Sequence, residues 1–343
     1  VSFLGENKRR RVLQVAVVHA ATAWLHAAHA LSLALLLILP GPAFAQDLNI
    51  PVPVSELERM LTTEPFRIVM AEISRPKAKG DITLKAEVAF GDRAPFRVKL
   101  RKAEPGADTF NNVPRYDIAA YELQKLLMDP PDYVVPPTAL RMVPLAEFKV
   151  YSADVRPTFR GADEVLGVVQ YWLQEIRVVA DVYDAARFDA DPVYARHIGQ
   201  LNIFTYLIEH RDSNAGNFLI SKAPTGARVF SVDNGVAFAS EESDRGELWR
   251  KMRIKRLPAD TVTRLRSIDE VLLQSRLGVL AQWELRDGRY VPVELTANLS
   301  DHRGVRIRSH IVQMGLTRGE ISRIARQAAR LVKSIDAGDI TTF

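Results

Sequence analysis

Between Phe66 and Ala103 apolar and polar positions alternate in three runs, FRIVMAEIS, ITLKAEVAF and FRVKLRKA, separated by short breaks rich in Gly, Pro and charge. Side chains on a strand alternate between the two faces of its sheet, so a period of two with short breaks predicts an antiparallel meander. A short linker (47–54) and a short helix over Ser55–Leu61 precede it. The stretch FNNVPRYDIAAYELQKLL then reads as a turn leading into a helix, with Asp117 near its start and apolar residues at helical spacing through Leu127.

A second extended pair follows, TALRMVPL and VLGVVQYWL, and from about Asp191 the period becomes helical in PVYARHIGQLNIFTYLIE. Two strand-like runs, NFLIS and RVFSV, flank a Pro-Thr-Gly turn. Beyond SVDNGVAFA, basic and apolar residues alternate through several segments of helical length. No internal repeat or low-complexity tract interrupts the chain. The expectation is an α+β protein with a sheet-rich N-terminal lobe (46–170), a short connection at Gln170–Leu173 and a mainly helical C-terminal lobe (171–343).

Composition changes this picture at one end only. The chain has 343 residues, 47% hydrophobic and 25% charged, which suits a folded protein with a sizeable core. It has no cysteine, which excludes disulfides, thiolate metal sites and a cysteine nucleophile. Near the N-terminus Lys8-Arg9-Arg10-Arg11 precedes an apolar tract that ends in LSLALLLILPGPAFAQD. Basic residues, an apolar core over Leu31–Leu39, helix-breaking Pro40 and Pro42, and small residues at Ala43-Phe44-Ala45 form the layout of an export signal, residues 1–45. The alternative is an uncleaved membrane anchor over residues 12–39. Either places the folded body outside the cytoplasm, periplasmic or secreted, because the basic residues crowd the leading side. Loss of residues 1–45 removes four basic and one acidic side chain and takes the formal charge from +5 to +2. The basic balance therefore gives no reason to expect a nucleic-acid partner.

Candidate chemistry lies in His210-Arg211-Asp212, with Asn217 five positions after the aspartate. H-R-D-x-x-x-x-N is the spacing phosphoryl transfer uses: the Asp orients an attacking hydroxyl, and the Asn helps hold a metal ion between phosphates. Taken alone, the segment also reads as a polar turn. Asp233 closes an apolar strand and precedes Asn234-Gly235, itself a hairpin signal. Asp233 comes 16 residues after Asn217, with a strand, a turn and a strand between, and a hairpin of that length brings the two residues to one metal site. The combination is far more specific than either part.

With these residues the chain resembles the protein-kinase-like superfamily, Asp233-Asn234-Gly235 standing where kinases carry Asp-Phe-Gly. SVDNGVAF is similar to the Asp-Asn-Gly-x-x-Phe of type II phosphatidylinositol 4-kinases and secretory-pathway kinases, and the resemblance runs over about residues 65–240. It implies ATP or another nucleoside triphosphate with Mg²⁺ or Mn²⁺, and a hydroxyl acceptor on protein, lipid or sugar. It further implies Asp212 as the catalytic residue, Asn217 and Asp233 as metal ligands, a strand lysine for the phosphates and a helix glutamate to hold that lysine. Lys99 and Glu122 are the matching residues.

Lys102 is the rival to Lys99. Strict alternation puts Lys99 with Arg97 and Arg101, away from Phe96, Val98 and Leu100, and gives Lys102 the apolar parity. Glu122 shares a helix stripe with Ile118 and Leu126, although a surface pair with Lys125 would also account for it. By position, Gln170–Leu173 would be the hinge that meets adenine. SRPKAKGD, with Arg75, Lys77 and Lys79, would be a hairpin over the phosphates or a plain basic turn.

Two other readings stay open: a pseudokinase or nucleotide-binding module without transfer, and a small-molecule phosphotransferase of the aminoglycoside or choline kinase type. No Walker loop, H-E-x-x-H or G-x-S-x-G occurs, and the four histidines beyond residue 45 are scattered rather than paired at metal spacing.

Overall fold

The computed structural model describes residues 47–74, 82–108, 113–238 and 246–343. The segment expected to be an export signal (1–45), the expected basic turn with Arg75, Lys77 and Lys79, and residues 110–112 lie outside the described residues. From Asp47 to Phe343 the chain is one compact unit of mixed α+β structure. No helix among the described residues is long and apolar enough to cross a membrane.

The expected meander forms β1 (Arg67–Ile73), β2 (Thr83–Ala89) and β3 (Phe96–Lys102), preceded by helix α1 (Val54–Thr63). β4 (Thr138–Pro144) and β5 (Glu164–Tyr171) complete a five-stranded sheet of order β1-β2-β3-β5-β4, with every neighbour antiparallel.

Alternation gives this sheet two different faces. On one, Leu84, Val98, Leu100, Val165 and Val169 pack with Leu57 and Leu61 of α1 and with Phe148 in one core. Each such side chain contributes about 1.5–3 kcal/mol of burial. On the other, Leu140, Leu166 and Val168 pack on helix α2 (Pro114–Leu127) as part of a second, larger core. The same face continues into Thr83, Lys85, Lys99, Arg101 and Gln170, aligned across the strands by the pairs Thr83–Arg101, Lys85–Lys99, Arg101–Val168 and Lys99–Gln170.

The chain leaves β5 through Trp172 and Leu173 into β6 (Ile176–Val178), which pairs with the hairpin β7 (Phe218–Ser221) and β8 (Val229–Ser231). Helix α5 (Pro192–Leu207) follows the short α4 (Ala185–Ala190); α3 (Leu145–Lys149) is a single turn between β4 and β5. Asp191 caps α5 by accepting from the Tyr194 backbone N–H, with Pro192 in the first turn, where a missing N–H is harmless.

Beyond residue 246 the structure departs from the expected run of helices. After β9 (Arg256–Leu257), α6 (Ala259–Arg266) and α7 (Glu270–Leu277), residues 281–314 form a four-stranded antiparallel sheet. Its strands are β10 (Ala281–Arg286), β11 (Arg289–Pro292), β12 (Val305–Arg308) and β13 (Ile311–Met314), in the order β11-β10-β13-β12. The physical cause is the Asp287-Gly288 pair, whose φ values of 49° and 76° make the turn that matches strand twist. α8 (Arg318–Asp336) closes the fold with a capping box, Thr317 and Glu320 each accepting from the other's backbone N–H. β14 (Thr341–Thr342) pairs with β9.

Candidate active site

The segment after α5 is shaped by its own polar side chains. Asn217 Nδ2 donates to the Asp212 carbonyl (2.9 Å) and to Asp212 Oδ2 (3.0 Å), and Asn214 Nδ2 donates to Asp212 Oδ1 (2.9 Å). Asn214 Oδ1 in turn accepts from the Gly216 N–H. The five-residue offset between Asp212 and Asn217 is thus the span of a loop that closes on itself.

His210 is fully buried against the Phe218 ring, 5.2 Å between centroids, and its Nδ1 accepts from the Asp212 N–H. Burial pushes its pKa down to about 4, so the imidazole is neutral and organises the loop.

Asp233 is brought to this loop by the hairpin. The Val232 N–H donates to the Asn217 carbonyl (2.9 Å), and the Arg211 N–H donates to the Val236 carbonyl (3.1 Å). Asp233 itself has φ +62°, a left-handed conformation that Asp tolerates better than most residues.

Lys99 Nζ lies 3.0 Å from Asp233 Oδ1, and Arg101 Nη1 lies 3.1 Å from the same oxygen. The other arm of Arg101 pairs with Asp117 of α2, and both of those side chains are buried. Gly235 permits this packing, because a Cβ there would stand 2.9 Å from Arg101 Nη1.

The expected residues are therefore partly assembled. Lys99, Asn217 and Asp233 line one cavity of about 310 Å³ together with Lys85, Gln170, Tyr171, Trp172, Leu173, Leu219 and Val232. The N–H groups of Tyr171, Trp172 and Gln174 are taken by the carbonyls of Pro137, Arg97 and Asn49, and that of Leu173 makes no hydrogen bond among the described residues. Asp212 adjoins Asn217 but is 1% exposed and does not line the cavity.

Glu122 does not meet Lys99. Its carboxylate sits 2.7 Å from Lys125, which also pairs with Glu58. α2 is buried on almost every side, so an apolar stripe does not say which residues face the sheet. The acid that does is Asp117, in the first turn, and its partner is Arg101.

Lys102 is buried on the opposite face of β3 and pairs with Glu104 at 2.7 Å. The cavity lies on the polar parity of β3, so Lys99 lines it and Lys102 does not. Arg101 and Asp117 are the site residues that motif reading missed; the available signal was that Arg101 shares a face with Lys99.

Among the described residues no three His, Cys, Asp or Glu side chains cluster to hold a metal unaided. The fit of a hard cation rests on Asn217 and Asp233. The Asp212 backbone carbonyl can only accept, which commits the Asn217 amide nitrogen to it, and no donor reaches Asn217 Oδ1 among the described residues. That oxygen and the Asp233 carboxylate are hard donors of the kind Mg²⁺ takes. No protein-family model matches the chain, and no curated protein matches it in sequence.

Proposed function

We propose that the chain is a metal-dependent, kinase-like phosphotransferase, moving a phosphoryl group from ATP or another nucleoside triphosphate to a hydroxyl acceptor. The observation that carries this reading is the Lys99–Asp233 ion pair in one cavity with Asn217, whose amide is oriented by Asp212. In this reading the five-stranded sheet and the part of the chain after Leu173 are the two lobes of a kinase-like fold, with Tyr171–Leu173 as the hinge. The Leu173 N–H, which makes no hydrogen bond among the described residues, is a donor for a nucleobase. Asn217 and Asp233 hold Mg²⁺ or Mn²⁺, which when bound neutralises charge between phosphates.

Lys99 contacts phosphate oxygens, Arg101 and Asp117 fix Asp233, and Asp212 orients the acceptor hydroxyl. On the export-signal reading of residues 1–45, this activity lies outside the cytoplasm, on a protein, lipid or sugar acceptor. Transfer of ³²P from [γ-³²P]ATP to the protein itself, to proteins, to lipids and to sugars tests the reading. Wild type should transfer label in a metal-dependent way and Asp233→Asn should not; equal transfer by both removes Asp233 from the site.

A second reading, nucleotide binding without transfer, is favoured by one observation: both Asp212 carboxylate oxygens accept hydrogen bonds and the side chain is buried. Binding at a ligand concentration 100 times Kd stabilises a fold by about 2.7 kcal/mol. Thermal stabilisation by Mg·ATP with no label transferred to any acceptor selects this second reading, and no stabilisation by any nucleotide refutes both.

A further inference from the structure

On the cavity side of β2 stand Thr83 and Lys85, two residues apart, directly opposite Arg101 and Lys99 on β3. This arrangement is costly without a ligand. Like charges facing each other across a ladder repel. Among the described residues lining the cavity only Asp233 carries a carboxylate, and Lys99 and Arg101 already share it.

Lys85 pairs instead with Glu72 at 3.1 Å, with 46% and 71% of the two side chains exposed, an arrangement worth little in water. Thr83 is 7% exposed and its Oγ1 has no hydrogen-bond partner among the described residues. An orphaned buried hydroxyl is destabilising until an acceptor reaches it.

We infer that Thr83 and Lys85 complete, with Lys99, a cradle for an extended polyphosphate on the cavity side of the β2–β3 ladder. The inference rests on the phosphotransferase reading and deepens it by assigning strand residues to the phosphate chain. The two ammonium groups come from strands about 4.8 Å apart. They bracket a chain of linked phosphates better than a single phosphate, and the Thr83 hydroxyl donates to one of its oxygens. Lys85 leaves Glu72 for the phosphate at small cost, because the pair it gives up is solvated.

Isothermal titration of the full chain with Mg·ATP, Mg·ADP, adenosine and sodium tripolyphosphate tests this in wild type, Lys85→Gln, Thr83→Val and Glu72→Gln. Lys85→Gln should weaken Mg·ATP and tripolyphosphate about ten-fold, the size of one charged hydrogen bond, and leave adenosine within about two-fold. Thr83→Val should act in the same direction by a smaller factor, and Glu72→Gln should strengthen both polyphosphates. Binding of tripolyphosphate without adenosine identifies a free polyphosphate as the ligand; binding of both identifies the nucleotide.

Wild-type binding of Mg·ATP that is undiminished in Lys85→Gln overturns the cradle and leaves the phosphotransferase reading standing. No binding of any of the four ligands by wild type overturns both. Lys85 is exposed, so its variant folds whatever happens to Thr83→Val, and ligand-free melting points confirm it.

Discussion

Gly235→Ala isolates the packing that holds Asp233. Gly235 does not require a left-handed backbone, so the substitution acts through space alone. Its new Cβ would lie 2.9 Å from Arg101 Nη1, 3.0 Å from Nη2 and 3.3 Å from Cζ, where contacts of about 3.5 Å or more are comfortable. The end of an arginine normally moves aside at little cost. This one is 2% exposed and tied to both Asp117 and Asp233, so a shift of about half an ångström strains two charge-assisted bonds.

Losing or stretching one such bond costs about 1.5–3 kcal/mol. Arg101→Met, which strands Asp117 in the interior, should cost about 3–5 kcal/mol. In the Arg101→Met background the guanidinium is gone and Gly235→Ala should cost no more than about 0.5 kcal/mol, giving a coupling energy of about 1–2.5 kcal/mol. Urea unfolding of wild type, both single variants and the double variant measures this, with unchanged m values as the check on two-state behaviour. If Gly235→Ala costs the same in both backgrounds, or nothing in wild type, the guanidinium is not what Gly235 accommodates.

Two further outcomes are expected. Burial lowers the His210 pKa to about 4 and that of His197 to about 3, so both are neutral in the fold, and the unfolded chain takes up protons first as the pH falls. Stability should be full above the ordinary histidine pKa and decline on acidification from about pH 6.5 towards 4, with a slope of up to about 1.4 kcal/mol per pH unit for each histidine. Urea midpoints across that range should fall, and the decline should be shallower in His210→Gln; midpoints that rise on acidification would contradict the assignment. The two candidate helix acids also separate cleanly. Glu122→Ala removes a partly exposed pair with Lys125 and should change stability by no more than about 0.5 kcal/mol, whereas Asp117→Asn leaves Arg101 short of its buried partner and should cost about 3–5 kcal/mol. Equal effects in thermal unfolding would mean that the Arg101–Asp117 pair does not carry the stabilisation assigned to it.

What the sequence determined by itself was local. Alternation over residues 66–103 specified the meander, because a strand's two faces are written in its period, and the helices at 114–127 and 192–207 follow from helical spacing. The offset from Asp212 to Asn217 encodes a loop whose side chains bond one another, and the hairpin after it carries Asp233 back to that loop. The Asp287-Gly288 turn chemistry stands in the sequence, but the basic and apolar alternation around it reads as helix when the period is judged over a longer window, and the hairpin goes unread.

Tertiary structure alone decided the ionic partners. Lys99, Arg101 and Lys102 are close in sequence, and only the side on which α2 and the Asp233 loop approach β3 determines which of them reach the site. Helix α2 carries acids at 117 and 122 and is buried nearly all round, so its rotation, set by packing on β4 and β5, chose Asp117 and left Glu122 to Lys125. A period records which face is apolar, and the identity of the charge opposite depends on long-range packing that no local pattern contains.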